Sequence, residues 1–397
     1  MERVAIAAAV RTPIGRFLGA FADLTAADLG VAATQAALQS ANVAPSDVDE
    51  LIYGCARQAG GGPNVARQVL VRSGIPQERP AFTVNQACGS GLQAIILGAE
   101  HIRAGKSRIV LAGGTESMSR VPYLLDRART GYRLGNAAIV DGMYRDGFLD
   151  PVSGMLMGET AEKLADLYKI GRPEQDEFAL ESQRRAGAAM RECRFKAEIA
   201  PVKVKGRKGE EREVSADEHP RADTTIEDLG KLPPVFREGG TVHAGNSSGI
   251  TDGASSLVLA AEGVARERGL EVLAWVGESE VVGVDPSIMG IGPVPATRRL
   301  LEKTRRKLED FDLIELNEAF AAQVLACDRE LHMDRARLNV NGGSIALGHP
   351  IGCTGARITT TLVHEMKRRQ SRLGLATLCV SGGLGIALEL IQGGRNE

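Results

Sequence analysis

Four residues spread along the chain have the types and settings that chemistry uses. Cys88 follows a short apolar run and stands directly before GSG and an apolar helical stretch. A helix N-terminus offers free N–H groups and the positive end of the helix dipole, and both favour a thiolate. The glycines let a substrate approach the backbone. The setting reads as that of a nucleophilic thiol, although a lone cysteine in a glycine-rich turn is more often a buried structural residue. His349 lies in GHP, a turn before another helical stretch, where the following proline biases it to extended backbone. A Cys–His pair is a standard way to generate a thiolate. Cys379 ends the apolar run LATL and precedes VSGG. It is either an inert strand-end thiol or a proton carrier, since a free thiol titrates near ~8.5. Asn317, in ELNEAF, ends another expected strand and is either a surface cap or an anchor for a water or an oxyanion.

The elements that must position these residues alternate. Residues 3–10 read as a strand, 26–41 as a helix with Thr25 as N-cap, and 50–53 as a strand. A helix over 64–73, a strand over 82–84, a helix over 89–104 and a strand over 109–112 follow. This alternation argues for α/β layers. The character changes near Ser119. Residues 120–248 are richer in charge, with helical patterns over 160–168 and 173–191 and a charged hairpin candidate, VKVKGRKGEEREV. This stretch reads as an insertion, and strand–helix alternation returns after Thr251.

The second half repeats the first. FTVNQACGSGLQAI, then a helix, then RIVLAGG is mirrored by LNVNGGSIALGHPIGCTGARI, a helix and LATLCVSGG. DVDELIYG is mirrored by DFDLIELN. The match pairs Gly54 with Asn317, Asn85 with Asn341, Gly91 with Gly355 and Gly113 with Gly382. Recurrence in one order points to a duplicated α/β fold. If the repeats pack face to face, the GHP segment of the second copy meets Cys88.

Composition sets the outer limits. The 397 residues suggest two or three domains. The hydrophobic fraction of 43% and the charged fraction of 25% are ordinary for a globular protein. A formal charge of −2 gives no reason to expect nucleic acid or an anionic membrane as partner. Six cysteines form no CxxC pair, so no metal site is expected, and free thiols suit a reducing compartment. No uncharged apolar run reaches membrane-spanning length. The opening MERVAIAAAVRTPIG reads as a strand rather than a signal or transit peptide, and QGGRNE carries no peroxisomal or lipidation signal. The expected location is cytoplasmic.

VNQACGSG, AGNSSGITDGA, ELNEAF, NVNGGSIALGHPIGCTGAR and LCVSGG stand in the order seen in the thiolase family, which the sequence resembles from about Val4 to Leu390. The resemblance implies a five-layered α/β/α/β/α fold of two similar halves, with a loop domain inserted in the first. The halves would be 1–119 with 249–269, and 270–397, and the insert 120–248 would bind coenzyme A. It implies a ping-pong reaction with acyl-CoA and coenzyme A as substrates and no metal or prosthetic group, in a homodimer or homotetramer. Cys88 would carry the acyl group, Cys379 would move the proton of the acetyl carbon, and His349 would activate Cys88. His349 would also stabilise the enolate oxygen with a water held by Asn317. The backbone N–H groups of Cys88 and Ser381 would form a second oxyanion site. Arg221 would lie near the adenine nucleotide, Ser248 near the pantetheine, and Met157, Met289 and Phe320 at the acyl end.

Two positions depart from the family pattern. Ser381 stands where many members have glycine, which would be strained if φ there must be positive. Leu156 stands where short-chain biosynthetic members commonly have histidine, which leaves room for longer 3-ketoacyl chains. The nearest rival is a fatty-acid synthase condensing enzyme of the same fold, which usually pairs cysteine with two histidines. A non-catalytic thiolase-like carrier is the rival from another class, and the presence of Cys88, His349 and Cys379 argues against it.

Overall fold

The computed structural model describes residues 2–206 and 209–393. Arg207 and Lys208 of the hairpin candidate, and the last four residues of QGGRNE, lie outside the described residues. The first half runs β1 (Val4–Arg11), α1 (Ala26–Ala41), β2 (Glu50–Gly54), α2 (Val65–Arg72), β3 (Ala81–Val84), α3 (Ser90–Arg103) and β4 (Ile109–Ser117). Local chemistry sets these bounds. Thr25 and Asp28 close a reciprocal capping box at the start of α1, with Oγ1 accepting from Asp28 N–H at 3.1 Å and Oδ2 accepting from Thr25 N–H at 2.8 Å. Asn64 caps α2 by accepting from Arg67 N–H at 3.2 Å.

The chain then leaves the layers at 118–120. It builds α4 (Met157–Tyr168), α5 (Arg172–Arg191) and a hairpin of β5 (Val202–Lys205) with β6 (Glu211–Val214). It rejoins the layers at β7 (Thr251–Ala261). The second half follows with β8 (Ala274–Gly283), α6 (Pro293–Thr304), β9 (Leu313–Leu316), α7 (Ala321–Leu331), the short α8 (Ser344–Leu347), α9 (Ile351–Arg369), β10 (Leu373–Val380) and β11 (Leu384–Gln392).

The strands form one hydrogen-bonded path, β9-β10-β11-β8-β1-β7-β4-β2-β3. It consists of two half-sheets meeting at a narrow seam, where β1 and β8 share only the pairs Ala5–Trp275 and Ile6–Ala274. Helices α3 and α9 fill the space between the half-sheets. One apolar cluster joins Leu92, Ile95 and Ile96 of α3 and Ile358 and Leu362 of α9 to Val110 and Leu257 on one side and Leu378 and Leu388 on the other. Helices α1 and α2 cover the outer face of the first half, and α6 and α7 that of the second. This is the five-layered arrangement.

The duplication is visible at hydrogen-bond level. Asp49 Oδ2 accepts from the N–H groups of Arg108 and Ile109 at 2.8 and 3.1 Å, and Asp312 Oδ2 accepts from those of Arg372 and Leu373 at 2.7 and 3.1 Å. The strand registers, Leu51 beside Leu111 and Ile314 beside Leu375, then pair Gly54 with Asn317 as the sequence suggests. They also correct one sequence pairing. Gly113 corresponds to Thr377, not Gly382, and the counterpart of Cys379 is Thr115. The glycine pairs of the two halves coincide in the letters but not in the register. Among the described residues, no helix is long and apolar enough to cross a membrane.

The segment between β4 and β7 is fastened to the layers by charge. Arg11, fully buried on β1, donates through Nε to Glu198 Oε1 at 2.6 Å and through Nη1 and Nη2 to the two oxygens of Asp217 at 2.7 and 3.0 Å. Removing one partner of such a group leaves uncompensated buried charge. Arg11→Met should therefore cost about 3–5 kcal/mol, read as a lowered urea midpoint. A loss under about 1 kcal/mol would mean that the three groups behave as a surface pair.

Candidate active site

Cys88 sits in the turn between β3 and α3. Side chains hold that turn. Asn85 Oδ1 accepts from Ala87 N–H at 3.1 Å, and Ser90 Oγ accepts from Gln86 N–H at 2.8 Å while donating to the Ala87 carbonyl at 2.7 Å. Ala87 is held at φ +43°, an unfavourable conformation for a residue with a Cβ. Backbone strain next to a partly buried thiol is characteristic of functional sites.

His349 reaches the same place from the other half. Its N–H donates to the Gly249 carbonyl at 3.0 Å, and α9 starts immediately after Pro350. The starts of α3 and α9 converge because the helices touch backbone to backbone. A Cβ on Gly91 would lie 2.8 Å from the Ala356 nitrogen, and one on Gly355 2.2 Å from the Leu92 nitrogen. The matched glycines of the repeat are thus the two sides of one contact.

A cavity of about 380 Å³ opens over this junction, and Cys88, His349, Cys379 and Ser381 all line it. Arg221, Ser248, Met157, Met289 and Phe320 line it as well, and so does Leu156, which makes that part of the wall apolar. Asn317 stands behind His349, buried, with Nδ2 3.5 Å from His349 Nε2. It is adjacent to the cavity wall rather than part of it. Ser381 is free of the strain its type suggested: its φ is not positive, and the left-handed turns fall on Gly382 and Gly383 at +86° and +82°.

The electrostatics of the resting site differ from those read in the sequence. Burial pushes the Cys88 thiol above its ordinary range. The Arg57 charge, a hydrogen bond from the Ser381 N–H and the thiol's own backbone N–H pull the other way without overcoming it. Burial, followed by the charges of Arg357 and Arg57, lowers His349 to about 3. Burial, followed by the neighbouring Cys88 charge, raises Cys379 well above the ordinary thiol range. The helix N-terminus therefore does not leave a standing thiolate. In the resting site burial favours the neutral form of both thiols and of the imidazole. His349 Nδ1 lies 2.6 Å from Thr354 Oγ1, which is itself 2.9 Å from the Pro350 carbonyl.

Comparison with known proteins fits this geometry. Residues 4–263 match the thiolase N-terminal domain and residues 270–392 the thiolase C-terminal domain. The chain belongs to the thiolase family. It is 51% identical over 392 residues to an acetyl-CoA acetyltransferase of Pseudomonas aeruginosa, covering 99% of this chain and 100% of that one. The crystal structure of the Bacillus anthracis acetyl-CoA acetyltransferase superposes with a TM-score of 0.97 at 48% identity, covering 99% of each chain. Human mitochondrial 3-ketoacyl-CoA thiolase in complex with CoA superposes at 0.95 with 44% identity, covering 99% of this chain and 98% of that one.

The sequence reading missed several residues of this thiolase's site. Glu116, buried at the end of β4, accepts N–H groups from Ala56 and Arg57 at 3.0 Å each and from Gly352 at 2.8 Å. It ties the loop after β2 to the first turn of α9. Arg57 lines the cavity, and its Nη2 donates to the Gly147 carbonyl at 2.9 Å. Position was the available signal: Arg57 follows the carboxyl end of a parallel strand, where α/β sheets place ligand-facing groups. His219 also lines the cavity, with Nδ1 2.8 Å from the Ala346 carbonyl. Phe236 packs edge-on against Phe320, with centroids 6.1 Å apart, over Gly158, where a Cβ would sit 2.3 Å from the ring. Neither has a sequence signal, because each depends on a contact made across the fold.

The raised Cys88 value gives a pH test. A raised thiol pKa means less thiolate at any pH below it, so alkylation of free enzyme should climb with pH. Peptide mapping after iodoacetamide should show Cys88 modification still rising beyond about pH 8.5. His349 stays neutral over that range and adds no inflection near its ordinary 6.5. A rate already level by about pH 7 would reveal a thiolate–imidazolium pair instead.

Proposed function

We propose that Cys88 is the acyl-carrying nucleophile of this enzyme and Cys379 the group that moves the proton of the acetyl carbon. The enzyme is a thiolase, an acyl-CoA:acetyl-CoA C-acyltransferase. It cleaves 3-ketoacyl-CoA with coenzyme A or runs the reverse Claisen condensation, by a ping-pong path through an acyl-cysteine. The observation that supports the residue roles is the convergence of Cys88, His349 and Cys379 on one cavity.

In the cleavage direction His349 takes the Cys88 proton as sulfur attacks the 3-keto carbon. A sulfur–carbon bond forms, the bond to the α-carbon breaks, and acetyl-CoA leaves as its enolate. Cys379 gives that carbon a proton. Burial, which keeps Cys379 a neutral thiol, suits it to be the donor. The thiol of a second coenzyme A then gives its proton to the Cys379 thiolate and attacks acyl-Cys88. The shortened acyl-CoA is released as the departing Cys88 sulfur takes back the proton held by His349. His349 and a water held by Asn317 stabilise the enolate oxygen. The N–H groups of Cys88 and Ser381 hold the other oxyanion, each donor being worth about 3–4 kcal/mol. The condensation runs these steps in reverse, and the residues named need no metal or prosthetic group to perform them.

The segment 120–248 forms the coenzyme A-binding insert between the halves 1–119 with 249–269 and 270–397. Arg221 faces the nucleotide, Ser248 the pantetheine, and Met157, Met289 and Phe320 the acyl end. Support comes from their shared cavity and from α4, whose Ala161 and Leu164 pack with Ala322, Leu325 and Phe320 of the second half. Free cysteines throughout the described residues suit a reducing, cytoplasmic setting.

The assembly is a homodimer or homotetramer. β3 ends the sheet path, its four residues are only partly buried, and such an edge offers unpaired backbone groups to a second copy. Tyr123, Leu134 and Ile139 of the insert are also exposed apolar groups that a second copy could cover.

Three measurements check these readings. Labelled acetyl-CoA should acetylate Cys88 in wild type and in Cys379→Ala, and should fail to do so in Cys88→Ala. Cys379→Ala should lose methyl-proton exchange of acetyl-CoA in deuterated water by about 10²–10⁴-fold. Wild-type exchange in that variant would return Cys379 to the role of an inert strand thiol. Light scattering should find a dimer or tetramer, and a fully active monomer across dilution would refute the assembly.

A further inference from the structure

The Asn317 amide turns its Nδ2 towards His349, the side from which it can donate to the water proposed to stabilise the enolate oxygen. An amide has two faces of similar shape, one donating and one accepting, so something must choose between them. We infer that Ser344 and Arg357 are positioning residues that fix which way round the Asn317 amide stands. The inference rests on the proposed role of Asn317.

The choice follows from a short chain of donors. Arg357 Nη2 lies 2.7 Å from Ser344 Oγ, and Ser344 Oγ lies 2.6 Å from Asn317 Oδ1. A guanidinium has donors and no acceptor, so the serine oxygen must accept from it. The single hydroxyl proton of Ser344 is directed at Asn317 Oδ1, which accepts it. That places Oδ1 on the serine side and Nδ2 on the His349 side, 3.5 Å from Nε2. The Asn317 backbone is held separately, its N–H donating to the Thr377 carbonyl at 3.0 Å. Only the side-chain orientation is left for this chain of donors to decide.

The setting of Arg357 supports a functional reason for its presence. It is fully buried on α9, and among the described residues its Nε and Nη1 have no hydrogen-bond partner. Its nearest carboxylate, Glu315, is 3.8 Å from Nη1, longer than a hydrogen bond. A buried, under-bonded cation is costly, and apolar residues of similar volume commonly serve stability as well or better. The bond it does make well is the one to Ser344.

The test separates the two halves of the reaction. Ser344→Ala removes the link with little change of volume. It should slow methyl-proton exchange of acetyl-CoA by about tenfold or more, approaching the loss for an oxyanion donor. Acetylation of Cys88 by acetyl-CoA should stay close to wild type, and KM for acetoacetyl-CoA should change little while kcat falls. A merely structural role would lower exchange, acetylation and thermal midpoint together, and that result would overturn the inference. Arg357→Lys keeps a donor-only cation and should retain more exchange than Arg357→Gln, whose amide can either donate or accept; equal loss in both folded variants would also overturn it. Asn317→Ala is the control. If it loses exchange while Ser344→Ala does not, the positioning role alone is wrong. If Asn317→Ala exchanges like wild type, the role assigned to Asn317 fails and this inference falls with it.

Discussion

The site depends on the backbone contact between α3 and α9. Side chains on either helix at the crossing would hold the two apart, and Gly91 and Gly355 remove them. The starts of both helices then arrive at one point, Cys88 just before α3 and His349 just before α9. Glu116 locks the junction by collecting N–H groups from the loop after β2 and from the first turn of α9. The remaining layers hold this crossing in place. The outer helices bury the half-sheets, and the half-sheets clamp the helix pair through a common apolar cluster.

Burial at that crossing sets the chemistry. A medium that excludes water opposes every charged form, so it raises the thiols of Cys88 and Cys379 and lowers the imidazole of His349. In the proposed mechanism charge appears only as substrate reacts, beside the N–H groups proposed to receive it. The same exclusion of water strengthens each donor, because an interaction in low dielectric is worth more than in water. Burial that favours a neutral resting site would by the same physics strengthen the proposed oxyanion donors.

Much of this was legible in the letters. The α1 cap at Thr25, the helix starting beside GSG and the pairing of Gly54 with Asn317 all follow from local patterns and recur in the structure. Two readings from the same letters went wrong. The pairing of Gly113 with Gly382 failed because similar glycine pairs fall at different registers of β4 and of the turn after β10. The lowered thiol at Cys88 failed because a helix dipole is read from sequence, whereas desolvation depends on what covers the residue. Glu116, His219, Phe236, Ser344 and Arg357 were not singled out for a role. Each acts through a partner on another element, and its type and neighbours carry no trace of that partner.

The sequence by itself determined the alternation of elements, the duplication and which residue types were available for chemistry. Those properties are local or periodic, and hydrophobic pattern and residue type encode them directly. Tertiary structure alone decided which groups face the cavity, which protonation states the resting site holds and which way the Asn317 amide stands. Those depend on dielectric and on donor–acceptor partners brought from β4, β9, α8 and α9, and such distances exist only once the layers have packed.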